Sequence, residues 1–539
     1  MYAGRWVALL DGRVIGQGGT PEQALAAAKV SRFREKPQVV FVSASRPFSF
    51  PPEFERVQSA LPVGITAYLV GGAVRDMILG QPVHDMDFIL TGNVLAIARK
   101  LADDLGIAYY PLDAEREVAR LVSIHEDGSR MVMDFALMRG PDLESDLRSR
   151  DFTVNAMAVE VHAPQSVLDP LGGAVDLQAR RLKPCSPSSF LDDPVRTLRA
   201  IRMAAALSMK IAPEYRVMIR KAALLLPGVS IERARDELFR ILEGPKPAAA
   251  LRALEMLDVL PHLLPELAPL KNLQQSSPHL LDAWNHTLEV LIRLEGLLEV
   301  FQSEYDPEKA ASLVLGLAVL RLGRFREQIT QHLNGYLAPD RPLRSLLNFS
   351  ALYHDVGKPQ TRQEEPGGKT HFYQHDEVGA QITAARAQAL RLSKVEISRL
   401  ELIVQHHMRP LLLTQAEDLP TRRAVFRYFR DLGEAGVDVC LLSLADTLAT
   451  YGHTLAQDLW SRQLDVIRIL LEAWWEKSQE HISPPALIDG HDLMKQFNLK
   501  PGPQIGKLLD AIREAQAVGD VHTADEALQW AESYLKQEG

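Results

Sequence analysis

Cysteine is nearly absent. Cys185 and Cys440 are the only two in 539 residues, too few for a disulfide framework or a cysteine-rich zinc site. No cationic-then-apolar leader is apparent, and the longest apolar stretches, such as Ala310 to Leu320, reach only about half a bilayer span. The expectation is therefore a protein of the reducing cytoplasm with no membrane partner. Fixed-period repeats and low-complexity tracts are also missing, which excludes a solenoid and a mainly disordered chain. So is an excess of positive charge: 60 Lys and Arg stand against 69 Asp and Glu, a net charge of −9, which discourages a nucleic-acid partner for the chain as a whole. That total hides a local field. From Arg180 to Lys246 there are 14 basic and 7 acidic residues, a segment suited either to a polyanion or to a solvated helix face.

What is present is material for several cores, since 46% of the residues are hydrophobic and the length suggests about three or four domains. Residues 1–48 read as a small α+β unit: a hairpin with an Asp-Gly turn in RWVALLDGRVIGQG, a helix with Pro21 at its first position, and the strand QVVFV. A Pro-rich linker, SRPFSFPPEF, follows. Over 49–182 strand and helix signals alternate, and VARLVSI and RMVMDFAL flank the turn-forming HEDGS. This is an α+β head with a mixed sheet. Strand signals then fade, and apolar spacing of three and four residues persists to the end. That helical part divides into a basic neck (183–245), a body (246–455) and a tail (456–539), with RQEEPGGKT (362–370) as a surface loop.

The most specific signal is LVGGAVRDMILGQPVHDMDFIL (69–90). A strand ends at Val70, Gly71 and Gly72 permit close backbone approach, and the following helix turns its N-terminal amides toward whatever binds there, an arrangement suited to phosphate oxygens. Asp85 and Asp87 lie two apart on a strand and leave it on the same face. Asp134, in RMVMDFAL, offers a third carboxylate from another strand. Such a set can hold two Mg²⁺ ions, lower the pKa of a hydroxyl nucleophile and stabilise departing pyrophosphate oxygens. Asp is disfavoured in strands unless something holds its charge, so the joint arrangement points to a site.

From Tyr68 to Leu242 the chain resembles the bacterial-type CCA-adding tRNA nucleotidyltransferases and the related bacterial poly(A) polymerases, within the polymerase-β-like nucleotidyltransferase superfamily. Five elements in family order carry the resemblance: Gly71, Gly72, Arg75, Asp76, Asp85 and Asp87; RDFTVNAMA (150–158); DPLGGAVDL (169–177); DDPVRTLRAIRM (192–203); and SIERARDEL (230–238). The resemblance implies a polymerase-β-like head in which Asp85 and Asp87 bind Mg²⁺ and Asp134 helps activate an RNA 3′-hydroxyl. It puts Gly71, Gly72 and Arg75 at the triphosphate, Arg150 and Asp151 by triphosphate and ribose, and Asn155 in support. It also makes Asp192, Asp193 and Arg196, with Arg199 and Arg202 further along the helix, the readers of the incoming base; a guanidinium fork and a carboxylate can match Watson-Crick edges. Three departures stand out. Asp192 occupies a position where the family usually has Glu, Ser149 replaces the first Arg of the usual Arg-Arg-Asp, and Asp134 lies only sixteen residues before Arg150. Many complete CCA-adding relatives have a longer flexible loop in that interval, and its shortening resembles enzymes that add only CC.

A second constellation lies in the helical half. LYHDVGKP (352–359) holds His354 and Asp355, with His286 upstream and His375, His406, His407 and Asp446 downstream. Imidazoles and carboxylates from separate helices can converge on one or two divalent ions and generate metal hydroxide for phosphoester hydrolysis. A lone buried His is as often merely hydrogen-bonded, and His375 and His407 are open to that reading. From His286 to Asp446 the pattern resembles the HD phosphohydrolase superfamily, which implies His286, His354, Asp355 and Asp446 as ligands of a second divalent metal of unspecified identity.

The leading expectation is an enzyme that extends tRNA 3′ ends with CC or CCA from CTP and ATP, releasing pyrophosphate, with the tRNA acceptor end as partner. If only CC is added, a separate A-adding enzyme completes the end. The alternatives are a poly(A) polymerase, although the strongly basic extension of those enzymes is missing here, and a metal-dependent HD phosphohydrolase with a nucleotide-binding head. A pure RNA-binding module explains neither carboxylate set.

Overall fold

A computed structural model describes residues 5–10, 13–29, 37–42, 50–62, 64–125, 130–302, 312–339 and 341–538. The chain folds as two compact units, Met1–Val229 and Ser230–Gly539.

The first unit is built on one ten-stranded mixed sheet. In chain order its strands are β1 (Arg5–Leu10), β2 (Arg13–Gly18), β3 (Gln38–Val42), β4 (Ala67–Val70), β5 (Asp85–Leu90), β6 (Ala108–Asp113), β7 (Val118–Ile124), β8 (Arg130–Leu137), β9 (Ala158–Glu160) and β10 (Val167–Leu168). They lie side by side in the order β2-β1-β3-β10-β9-β4-β5-β8-β7-β6. Only the pair β5 and β8 is parallel. The helices are α1 (Pro21–Lys29), α2 (Pro52–Ala60), α3 (Gly72–Leu79), α4 (Val94–Leu105), α5 (Leu143–Ser149), α6 (Gly173–Gln178), α7 (Ser189–Asp192), α8 (Arg196–Ala206) and α9 (Pro213–Ala223).

Period-two alternation decides which face of the sheet is covered. Met86 and Phe88 of β5, Ala119 and Leu121 of β7, and Met131, Met133 and Phe135 of β8 are buried. Phe88 stacks on Phe135 at 4.9 Å between ring centroids, and Phe54 of α2 approaches Phe88 at 6.3 Å. The same face receives α4, whose Val94, Ala98, Leu101 and Ala102 are buried and whose ends are fixed by an Asn93 side-chain cap on Ala96 N–H and by Gly106 in the left-handed region. The intervening residues Asp85, Asp87 and Asp134 therefore leave the sheet on the opposite side, which is open at Asp85 and Asp87 and closed further along β5, where Ile89 is buried.

The N-terminal strands extend this same sheet. β3 pairs with β10, Val40 opposite Leu168, and Val7 and Val40 share one apolar cluster with Val70, Ile89 and Leu147. The expected Asp-Gly turn at 11–12, residues 45–49 of the Pro-rich linker and residues 126–129 of HEDGS lie outside the described residues.

The second unit is helical, with two small exceptions that apolar periodicity did not signal. Tyr336–Ala338 pairs with Arg341–Pro342. The stretch 362–370, expected as a loop, opens instead as a hairpin with Arg362–Glu364 antiparallel to Thr370–Phe372; Gly367 and Gly368, both at positive φ, close its turn. In the first unit, Arg181–Leu182 pairs in parallel with Lys210–Ile211. The central helix of the second unit, Ala435–Tyr451, is buried from Ala435 to Thr450. Its two acids, Asp438 and Asp446, are consequently both buried and both ion-paired.

Candidate catalytic and metal sites

In the head, strand register brings the carboxylates together. Asp87 of β5 lies directly beside Asp134 of β8, and Asp85 faces Val132 one step along the same side. Asp85 and Asp87 are exposed. The surrounding protein and the neighbouring Asp134 and Asp85 push the Asp87 carboxyl up to about 6, against the pull of Arg150 and Arg120. Three carboxylates on one sheet face, two of them exposed, make a donor set of hard oxygens that fits a divalent cation.

The glycine turn is shaped around that carboxylate. Gly71 has φ 80° and ψ −143°, and a Cβ there would lie 2.8 Å from Asp87 Oδ2 and 3.6 Å from Arg150 Nη1. Behind it runs a continuous polar chain. Arg75 donates Nε and Nη2 to the Asp76 carboxylate at 2.8 and 2.9 Å and Nη1 to Asn155 Oδ1 at 2.8 Å. Asn155 Nδ2 donates to Asp151 Oδ1 at 3.2 Å, and Asp151 Oδ2 lies 3.5 Å from Arg199 Nη1. A Cβ on Gly72 would stand 3.3 Å from the Arg75 guanidinium. Arg150 Nε donates to Asp146 Oδ2 at 3.1 Å.

The expected base readers are arranged unevenly. Asp192 accepts a 2.7 Å hydrogen bond from Ser188 Oγ. Arg196 spends its Nη atoms on main-chain oxygens, with Nη2 to Ser149 O at 2.8 Å and Nη1 to Arg150 O at 3.2 Å, and also on Ser189 Oγ at 2.8 Å. It therefore ties α8 to the segment carrying Arg150 and Asp151, and its Nε lies 3.8 Å from Asp193 Oδ2. Arg199 and Arg202 follow along α8 and are half-buried. A residue not singled out by motif is Arg120 of β7. It lies opposite Asp134 in register and grips both its oxygens, with Nε to Oδ1 at 2.8 Å and Nη2 to Oδ2 at 2.9 Å. The signal that would have found it is the hairpin itself: a turn centred near residue 127 puts 120 across from 134.

In the second unit, donor atoms of His286, His354 and Asp355 converge, and those of Asp355, His375 and His407 form a second group sharing Asp355. His286 Nε2 is 3.0 Å from Asp446 Oδ1 and 3.6 Å from Asp355 Oδ2, and His354 Nε2 is 3.2 Å from Asp355 Oδ2. His375 Nε2 stands 3.5 Å from Asp355 Oδ1. Three of the imidazoles are held alike: Nδ1 of His354, His375 and His407 pairs with the carbonyl three residues back, Ala351, Phe372 and Val404, at 2.7–2.8 Å. A carbonyl only accepts, so each Nδ1 carries the proton and each Nε2 lone pair points inward. The Nε2 atoms of His375 and His407 are buried and find no hydrogen-bond partner among the described residues. Burial, then His354 and His375, push His407 down to about 4, so its ring is neutral at pH 7 and free to act as a ligand. Burial would also push His354 down, but Asp355 and Asp446 outweigh it and raise it. Lys358, also buried, donates to Asp355 Oδ2 and Gln275 Oε1 at 2.6 Å each. Gly357 makes this convergence possible. A Cβ on it would lie 2.1 Å from His375 O, so only glycine lets the helix His375–Ala389 approach the HD motif. These donors fit one or two divalent ions. His406, adjacent in sequence, belongs to neither group.

A carboxylate row beside a glycine turn on one sheet face, and a separate buried His/Asp cluster on helices, define a nucleotidyltransferase head and an HD domain carried on one chain. Among family models, the poly A polymerase head domain matches residues 67–183, the HD domain 319–451, and a family of unknown function residues 1–45. The A-adding tRNA nucleotidyltransferase of Deinococcus radiodurans is 34% identical over 86% of this chain and 96% of its own length. The CC-adding tRNA nucleotidyltransferase of Thermus thermophilus is 32% identical over 86% and 92%. A CCA-adding enzyme solved with CTP matches in fold with a TM-score of 0.56, at 20% identity, over 91% of this chain and 99% of that one. The chain belongs to the bacterial CCA-adding tRNA nucleotidyltransferase family.

Proposed function

We propose that this protein extends the 3′ end of tRNA with nucleotides from CTP, or from ATP, releasing pyrophosphate. The observation that carries the reading is the register-matched row of Asp87 and Asp134, with Asp85 on the same face, beside the Gly71 turn. Asp85 and Asp87 would hold Mg²⁺, which when bound supplies positive charge to the triphosphate and the departing pyrophosphate. Asp134 accepts the hydrogen bond of the attacking 3′-hydroxyl and so aims its oxygen. That oxygen bonds the α-phosphorus, the bond to the bridging oxygen breaks, pyrophosphate leaves with the electron pair, and the hydroxyl proton passes to water. Gly71, Gly72, Arg75 and Arg150 border the triphosphate, and the Asn155–Asp151–Arg199 chain holds that border in place. Base choice falls to Asp192, Asp193, Arg196, Arg199 and Arg202, with Arg196 releasing main-chain oxygens as a base enters.

CC addition is the favoured specificity. The sixteen-residue interval from Asp134 to Arg150 is filled by the end of β8, a short connection and α5, which leaves no span for a long flexible loop. The 34% identity to an A-adding enzyme supports a second specificity, addition of the terminal A alone. Purified protein is given tRNA ending at the discriminator base, at CC or at CCA, with one labelled nucleotide at a time. CC addition gives two C only on the first substrate; A addition gives one A only on the second. Long A tails would instead indicate a poly(A) polymerase. No incorporation by the wild type, or full incorporation by Asp85→Asn, would sink the reading.

The HD cluster is proposed as a two-ion phosphoester hydrolase centre with Asp355 shared, His286, His354 and Asp446 on one side and His375 and His407 on the other. Two buried free thiols, Cys185 and Cys440, suit a reducing compartment, and no helix among the described residues is long and apolar enough to cross a membrane.

A further inference from the structure

We propose that Arg120 is a positioning residue for nucleotidyl transfer, fixing the carboxylate of Asp134 so that it aims the RNA hydroxyl instead of turning onto the cations of Asp85 and Asp87. This rests on the transferase reading above.

The row Arg120–Asp134–Asp87 crosses three neighbouring strands, β7, β8 and β5, in strict register. Neighbouring strands stand about 4.8 Å apart, so an untethered Asp134 side chain would reach any cation held by Asp87. Arg120 prevents that rotation. Its planar fork occupies one lone pair on each Asp134 oxygen and fixes the plane of the carboxylate. One lone pair on each oxygen remains available, enough to accept a hydroxyl hydrogen bond. The pair is not buried: the Arg120 side chain is 42% exposed and that of Asp134 27%. A fork at that exposure is screened by solvent, and it lies on the sheet face that carries all three carboxylates. Aim, more than stability, is therefore what this geometry provides.

The competing role for an exposed arginine at this edge is a direct contact to an RNA phosphate, and kinetics separate the two. Arg120→Gln removes the fork, whereas Arg120→Lys keeps the charge with a single point donor. Each is compared with wild type for kcat, for KM of tRNA and of CTP at several salt concentrations, and for Mn²⁺ binding to nucleotide-free protein followed by electron paramagnetic resonance. The HD cluster is the same in all three proteins, so differences in Mn²⁺ binding report on the head. Arg120→Gln is expected to lower kcat by about 10²-fold, the cost of a reacting group misplaced by about 1 Å. Both KM values should stay within about twofold, and Mn²⁺ should bind more tightly as Asp134 becomes a ligand; Arg120→Lys should fall between. A raised KM for tRNA with kcat retained, and a salt dependence shallower by about one phosphate contact, would overturn the proposal in favour of RNA binding. Unchanged kcat and unchanged Mn²⁺ binding would reduce the fork to a strand pairing. A melting temperature matched to wild type secures the comparison, and Arg120→Lys carries the test if the glutamine variant does not fold. Inactive wild-type protein would instead remove the transferase reading itself.

Discussion

Replacing Gly71 by alanine tests the head at its narrowest point. The backbone there, φ 80° and ψ −143°, lies near a region that is essentially glycine-only, and holding an L-residue in it costs about 1–3 kcal/mol. The added methyl would also sit 2.8 Å from Asp87 Oδ2, below the 3.4 Å at which ordinary contact begins. The carboxylate must then retreat by roughly half an ångström or rotate toward Asp134. Since a 1 Å displacement at a reacting centre costs about 10²-fold, kcat for nucleotide incorporation should fall by about 10- to 10²-fold. At about 2–4 °C per kcal/mol for a unit of this size, the head transition in scanning calorimetry should drop by about 2–12 °C while the HD unit melts unchanged. Gly72→Ala is the control. Its Cβ would meet only the end of the Arg75 side chain, at 3.3 Å, in a helical turn that favours alanine, so its effect should be several-fold smaller. An active Gly71→Ala protein with an unmoved head transition would refute the idea that Gly71 exists to make room for Asp87.

The remaining predictions concern the second unit. His332 is buried with its Nε2 2.9 Å from Asp438 Oδ1, and Arg399 Nε donates to Asp438 Oδ2 at 2.7 Å. Burial works to lower His332, but Asp438 and then Glu434 outweigh it and lift it to about 9. A raised histidine stabilises the fold fully below its unfolded value near 6.5 and ceases to do so as pH climbs through 9. Up to about 3 kcal/mol is at stake, so the HD transition should lose several degrees between pH 6.5 and 9.5, and His332→Gln should flatten that slope; a wild-type transition independent of pH over this window would count against the charged pair. Separately, His407→Ala should lower the divalent ions bound per chain by one in equilibrium dialysis with elemental analysis, leaving tRNA extension intact. Unchanged stoichiometry would reduce His407 to a packed, hydrogen-bonded ring.

The two sites differ in how far sequence could reach them, and the reason is the separation along the chain over which each is assembled. Asp85 and Asp87 were legible because a strand has period two: both acids must leave on one face, opposite the buried Met86 and Phe88, with no tertiary information needed. Asp134 was legible as a candidate by the same rule, but its neighbour required register. Alone in VARLVSI, Arg120 is one more polar residue on a half-covered strand; only the pairing of β7 with β8 makes it the partner of Asp134. Arg196 shows the converse, since its place in a helical motif was clear while its bonds to Ser149 and Arg150 main-chain oxygens depend on how two distant segments meet. The second cluster is assembled from longer range still. His354 and Asp355 announce themselves by adjacency, but His375 and His407 come from other helices, and nothing in YQHDEVGA or VQHHMRP states which ring turns inward. One local rule would have narrowed the choice. A histidine whose Nδ1 can reach the carbonyl three residues back presents Nε2 away from its own backbone, and His354, His375 and His407 all do so. With four ligand positions already implied, that rule and the close approach at Gly357 raise the set to six around a shared Asp355. A six-donor cluster is a different chemical object from a four-donor one, because a bridging carboxylate can hold two cations close enough to act on the same phosphate.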